Sequence, residues 1–119
     1  MFNAILCRIV EECGGGIGAV LMGFDGIPVD QYLAADAATD LQLIAVEYAN
    51  VLKEIRSMAE VLRLGALEEV VIRTDDLQFV VRFITPEYFV ATTLHRDGNF
   101  GKVRYLLTRE TGNLLAALS

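Results

Sequence analysis

Tryptophan is absent from the 119 residues, histidine occurs once, and cysteine and proline occur twice each. A lone histidine, His95, entering a polar loop behind an apolar run reads as a surface residue. No serine or cysteine stands in a nucleophile elbow. Cys7 and Cys13 lack the second pair of Cys or His that a tetrahedral zinc site requires, so they read as reduced, incidental thiols. Positive charge is also scarce: ten Lys and Arg against sixteen Asp and Glu give a net charge of −6. The cations are scattered, which argues against nucleic acid or an anionic membrane as a partner. No uncharged apolar run approaches the ~18 residues of a spanning helix, and the amphipathic start lacks a small-residue cleavage site. The expected place is the cytoplasm.

What is abundant is apolar surface. The hydrophobic fraction is 54%, against about 45–50% in ordinary soluble chains. A single domain spanning 1–119 buries roughly two thirds of the surface its unfolded chain exposes, and the surplus points to self-association.

Leu41–Leu64 carries apolar residues at helical spacing without Gly or Pro. Leu41, Ile44, Ala45, Tyr48, Leu52, Ile55, Ala59 and Leu62 fall on one broad stripe that must face a core. The opposite side sets Leu43, Val46, Ala49 and Val61 among Gln42, Asn50, Lys53, Ser57 and Glu60. That mixture is not a uniformly charged surface, and it predicts a second contact for this helix.

Ahead of it, Phe2, Ile5, Leu6, Ile9 and Val10 mark a short amphipathic helix that stops at Gly14-Gly15-Gly16. A phosphate loop follows a strand and opens a helix; here the order is reversed, and the glycines read as cap and linker. Ile17–Phe24 and Ile27–Leu33 are strands joined by Asp25-Gly26, a strong hairpin signal. Pro28 places the second strand at a sheet edge. Ala34–Asp40 connects to the long helix, with Thr39 or Asp40 as its cap. Glu68–Thr74, Leu77–Thr85 and Tyr88–Leu94 form an antiparallel meander. Its middle members are apolar on both sides, which demands helices on both faces of the sheet. Asn99 caps a final helix with Val103, Leu106, Leu107 and Leu114 on its inner side, weakened late by Gly112. The pairs Glu11-Glu12, Glu68-Glu69 and Asp75-Asp76 are solvated carboxylates, and no catalytic, cofactor or metal residue is assigned.

The element order α-β-β-α-β-β-β-α resembles the roadblock/dynein light chain family. The hairpin Gly18-Ala19-Val20-Leu21-Met22-Gly23-Phe24-Asp25-Gly26-Ile27-Pro28-Val29 is similar to the family's first hairpin, and Asn99-Phe100-Gly101-Lys102-Val103-Arg104 to its entry into the last helix. The resemblance implies an α+β, profilin-like sandwich. Its five-stranded antiparallel sheet runs 2-1-5-4-3, with the long helix on one face and the terminal helices on the other. It further implies a homodimer built by pairing the third strand with its copy, the long helices side by side. MglB-type members bind Ras-like small GTPases of the MglA type on that helical surface and can raise their hydrolysis rate. Other members are structural adaptors of the dynein light chain kind, without a GTPase.

On this basis the dimer seam is expected at Glu69, Val70, Val71, Ile72 and Arg73 with Leu43 and Val61, and the partner platform at Val46, Ala49, Asn50, Lys53 and Ser57. A rotation of ~20° in the helix would exchange some members. The plainer reading is scattered surface apolars, which are normal.

Overall fold

Alternation along the strands decides the layers of this molecule. The computed structural model describes residues 2–34 and 41–119, with the side chains of Leu41 and Gln42 left aside; the expected cap at Thr39 or Asp40 lies outside these residues. The elements are α1 (Phe2–Glu12), β1 (Gly16–Gly23), β2 (Pro28–Leu33), α2 (Leu41–Val61), β3 (Glu69–Arg73), β4 (Leu77–Phe83), β5 (Tyr88–His95) and α3 (Phe100–Leu118). All sheet pairs are antiparallel, in the order β2-β1-β5-β4-β3. The predicted order and topology hold, and β2 is an edge strand, as Pro28 leads one to expect.

Residues of even and odd parity on β4 and β5 feed two different cores. Val80, Val90 and Leu94 join Ala19 and Leu21 beneath Ile5, Leu6, Ile9 and Val10 of α1 and Val103, Leu106, Leu107 and Leu114 of α3. Val81, Phe89 and Ala91 join Val20, Met22 and Phe24 beneath Ala45, Ala49 and Leu52 of α2. Each large side chain so buried contributes about 1.5–3 kcal/mol. The doubly apolar strands are therefore covered on both faces.

The turns follow their chemistry. Gly26 takes φ +85° and its N–H donates to the Gly23 carbonyl at 3.0 Å, while the Ile27 N–H donates to Asp25 Oδ1 at 3.0 Å. Asn99 caps α3, its Oδ1 accepting from the Lys102 N–H at 3.0 Å. The helix runs through Gly112 to Leu118 without interruption; Leu114, fully buried beyond the glycine, holds its last turns to the sheet.

Two expectations change at α2. The helix ends at Val61 rather than Leu64, because Arg63 turns to φ 55° and the Leu64 N–H reaches back to the Ala59 carbonyl at 2.9 Å. Leu62 thereby leaves the core stripe and is exposed. Ala49, expected on the outer side, lies in the core at 1% exposure; four residues beyond Ala45, it stays on the same helical face.

Candidate protein interface

Helix α2 lies over the sheet with its two flanks pointing opposite ways. The Tyr48 ring meets Phe79 of β4 edge-on, with centroids 4.9 Å apart. Burial pushes the Tyr48 phenol up from its usual range. On the other flank the Arg56 guanidinium sits 4.1 Å above the ring of Phe24, the residue that follows β1, and Nη1 donates to the Pro86 carbonyl at 2.8 Å. Since β3 adjoins β4 at the sheet edge, the Tyr48 flank looks toward β3 and the Arg56 flank toward β2.

At ~100° per residue, the exposed residues of α2 divide accordingly. Val51 and Met58 belong to the Tyr48 flank, Leu43 and Val61 to the crest, and Val46, Asn50, Lys53 and Ser57 to the Arg56 flank. All are solvent-exposed, Val61 at 80% and Leu43 at 60%. Four of the five residues expected in a platform thus share one flank, and Ala49 is removed from it by burial. Val51 and Met58 were missed because their spacing from Ile44, Tyr48 and Ile55 is also compatible with the core stripe. Their half-exposed apolar surface continues the crest toward the β3 edge.

Among the described residues β3 pairs with β4 alone. The Phe83 N–H donates to the Glu68 carbonyl at 3.1 Å and the Thr74 N–H to the Leu77 carbonyl at 2.9 Å. In an antiparallel ladder bonded pairs alternate with unbonded ones. With Val70 opposite Val81 and Ile72 opposite Phe79, the even residues bond to β4, and Glu69, Val71 and Arg73 turn their N–H and C=O groups outward. Side chains alternate as well: Val70 packs against the α2 core and Val71 against the α1/α3 core. Glu69 Oε1 accepts from Arg104 Nε of α3 at 2.7 Å, and the guanidinium groups of Arg73 and Arg104 lie 6.0 and 5.4 Å from the Phe100 ring.

A cleft of about 320 Å³ opens between the C-terminal end of α2 and the β4–β5 turn, lined by Phe24, Arg56, Ala59, Phe83 and Pro86 among others. His95, Cys7 and Cys13 are not among the residues that line it. His95 is exposed, Cys7 and Cys13 are free thiols, and burial pushes the Cys13 thiol up. Among the described residues no group of three or more His, Cys, Asp or Glu is placed to hold a metal ion. Among them, too, no helix is long and apolar enough to cross a membrane. The carbonyls of Gly14 and Gly15 accept from the Asn99 and His95 N–H groups, each at 2.9 Å, so the triple glycine is committed to the β5–α3 loop.

No protein-family model and no curated protein matches the chain. Solved structures do. MglC from Myxococcus xanthus is 38% identical, with 98% of each chain covered and a TM-score of 0.72. The Roadblock/LC7 domain from Streptomyces avermitilis is 16% identical over 98% of this chain and 96% of its own, at a TM-score of 0.84. MglB from Myxococcus xanthus is 11% identical over 98% and 93%, at a TM-score of 0.86. The last two share the fold, and the identity with MglC extends along nearly the whole sequence. The chain is a member of the roadblock/dynein light chain family.

Proposed function

We propose that this chain is a homodimeric regulator or scaffold that works by protein contact, binding a Ras-like small GTPase on the outer face of α2, as a regulator by raising its hydrolysis or as a scaffold by holding it. The observation that carries the reading is the exposed face of α2 taken with the open edge of β3. Val51 and Met58 on the β3 side, with Leu43 and Val61 on the crest, supply apolar area suited to a second copy. Val46, Asn50, Lys53 and Ser57 remain together on the other flank. Membership of a family that includes MglC and MglB fits this use, and one MglB structure, 18% identical with a TM-score of 0.79, is described as having a tetrameric arrangement.

The seam consists of Leu43, Val61 and Glu69 to Arg73, and the dimer buries on the order of 800 Å² per subunit. The platform consists of Val46, Asn50, Lys53 and Ser57. Purified Ras-like GTPases of the source organism, loaded with GDP or with a non-hydrolysable GTP analogue, provide the test. Calorimetric binding to one nucleotide state, lost on Asn50→Arg, is expected. Absence of binding in both states would return the chain to the adaptor reading. Single-turnover hydrolysis with and without the chain then separates activation from scaffolding.

A further inference from the structure

We infer that the chain recognises its own copy in one register, with Val71 on the twofold axis and Glu69 of each copy opposite Arg73 of the other. The inference rests on the homodimer proposed above and specifies how its seam is read. Antiparallel pairing of identical edges requires a twofold axis perpendicular to the sheet, which keeps each face continuous across the seam. Opposed residues must then come from the same face, so the axis passes through a residue rather than between two.

Three centres, Val70, Val71 and Ile72, set three or more residues of the strand against the second copy. Val71 is its midpoint, and its N–H and C=O are among those turned to the free edge. Centred there, Glu69, Val71 and Arg73 bond to Arg73, Val71 and Glu69 of the second copy, so every outward backbone group of β3 is used. Centred on Ile72, Glu69 would instead face Asp75 of the second copy, two like charges. Centred on Val70, it would face Val71, and Arg73 would run past the strand to Leu67.

The side chains favour the same choice. Glu69 and Arg73 both sit on the α3 face, Glu69 held by Arg104 and Arg73 near the Phe100 ring. In the Val71 register each Glu69 carboxylate lies between Arg104 of its own copy and Arg73 of the other, twice over by symmetry. On the α2 face Val70 meets Ile72. The strand Glu-Val-Val-Ile-Arg is thus complementary to its own reverse, and opposite charges directly across a ladder favour a pairing that like charges oppose.

Sedimentation at low salt tests the charges. Arg73→Glu sets two glutamates against each other at both ends of the seam and should raise the dimer dissociation constant about tenfold or more. Glu69→Arg should do the same with arginines, and mixing the two variants should restore wild-type affinity, since both contacts of the mixed dimer are then complementary. Glu69→Arg also breaks the contact with Arg104, so a second measurement avoids it. Chains carrying Val70→Cys and Ile72→Cys, mixed and oxidised with copper phenanthroline, should form the mixed disulfide in preference to either self-linked product, identified by mass spectrometry of the joined peptides. A dimer that keeps its affinity in Arg73→Glu, or that self-links through Val70→Cys, overturns the register and leaves the dimer standing. A monomeric wild-type chain overturns both.

Discussion

Gly15 and Gly98 meet backbone against backbone: a Cβ on Gly15 would stand 2.7 Å from the Gly98 Cα. Gly15 also takes φ +93°, so the position excludes a side chain on two independent grounds. Around it the β5–α3 loop is tied down by Gln78, buried in the sheet, whose Nε2 donates to the carbonyls of His95, Arg96 and Gly98 at 3.3, 2.7 and 3.2 Å. The junction before β1 and the loop before α3 therefore form one packed corner. Gly15→Ala should destabilise the fold by about 2 kcal/mol or more, the left-handed cost plus the clash, read as a lowered urea midpoint.

The same corner bears on nucleotide. A phosphate loop follows a strand and opens a helix, whereas here the glycines follow α1 and lead into β1. Calorimetry with GTP and with GDP should show no heat of binding to this chain alone; micromolar affinity for either would end the reading of the glycines as structural.

Glu110 of α3 is buried at 3% exposure and accepts from Arg8 Nη2 of α1 at 2.7 Å, with Arg109 Nε 3.4 Å from its other oxygen. Burial opposes its charge, but the hydrogen bonds from Arg8 and Asn113 and the charges of Arg8 and Arg109 outweigh it, holding the carboxyl below its ordinary value of 4.5. The unfolded chain then takes up the proton first as pH falls. The contribution is present above about pH 4.5 and is lost as pH drops through the folded-state value beneath it. Arg8→Met should cost about 1–3 kcal/mol at pH 7 by leaving the carboxylate short of a partner. Glu110→Gln should flatten the acid limb of stability against pH, measured by urea unfolding at pH 7 and pH 4.

Helix α2 separates what the sequence discloses from what it does not. Periodicity fixes that one face is buried, and Ala45, Leu52 and Ala59 are in the core as read. Ala49 reads outward only when its weak hydrophobic signal is weighed alone; its spacing of four from Ala45 and three from Leu52 is that of the buried face, and it packs there with Val20, Val81 and Ala91. The end of the helix is hidden in the sequence for a related reason: Leu62 and Leu64 continue the apolar pattern, while the positive φ of Arg63 has no local sequence signal of the kind glycine gives. The strands were easier, since alternation and tight turns are local. The Gly15–Gly98 approach was invisible, because nothing near either glycine encodes its distant partner.

The burial of Ala49 changes which substitution probes the platform. Ala49→Arg would force a guanidinium into the α2 core and should cost about 3 kcal/mol or more, so loss of a partner in that variant would report unfolding. Asn50→Arg, on the exposed flank, should leave the melting temperature nearly unchanged, within about 0.5 kcal/mol of wild-type stability. It should abolish GTPase binding by steric and charge conflict. Binding at wild-type affinity would remove the platform, and a variant that falls apart into monomers would reassign the flank to the seam.

Proline at neighbouring positions of β3 should separate the seam from the fold. The Val71 N–H points to the free edge, so Val71→Pro removes no bond to β4 and should leave a folded chain, while deleting the central hydrogen bonds of a paired edge. The Val70 N–H points into the β3–β4 ladder, opposite Val81, so Val70→Pro should damage the sheet itself. Sedimentation and circular dichroism together check the contrast: Val71→Pro is expected to be monomeric with a near-native spectrum and melt, and Val70→Pro to melt markedly earlier. A Val71→Pro chain that remains dimeric at micromolar concentration would move the interface away from this edge, leaving α2 alone to form it.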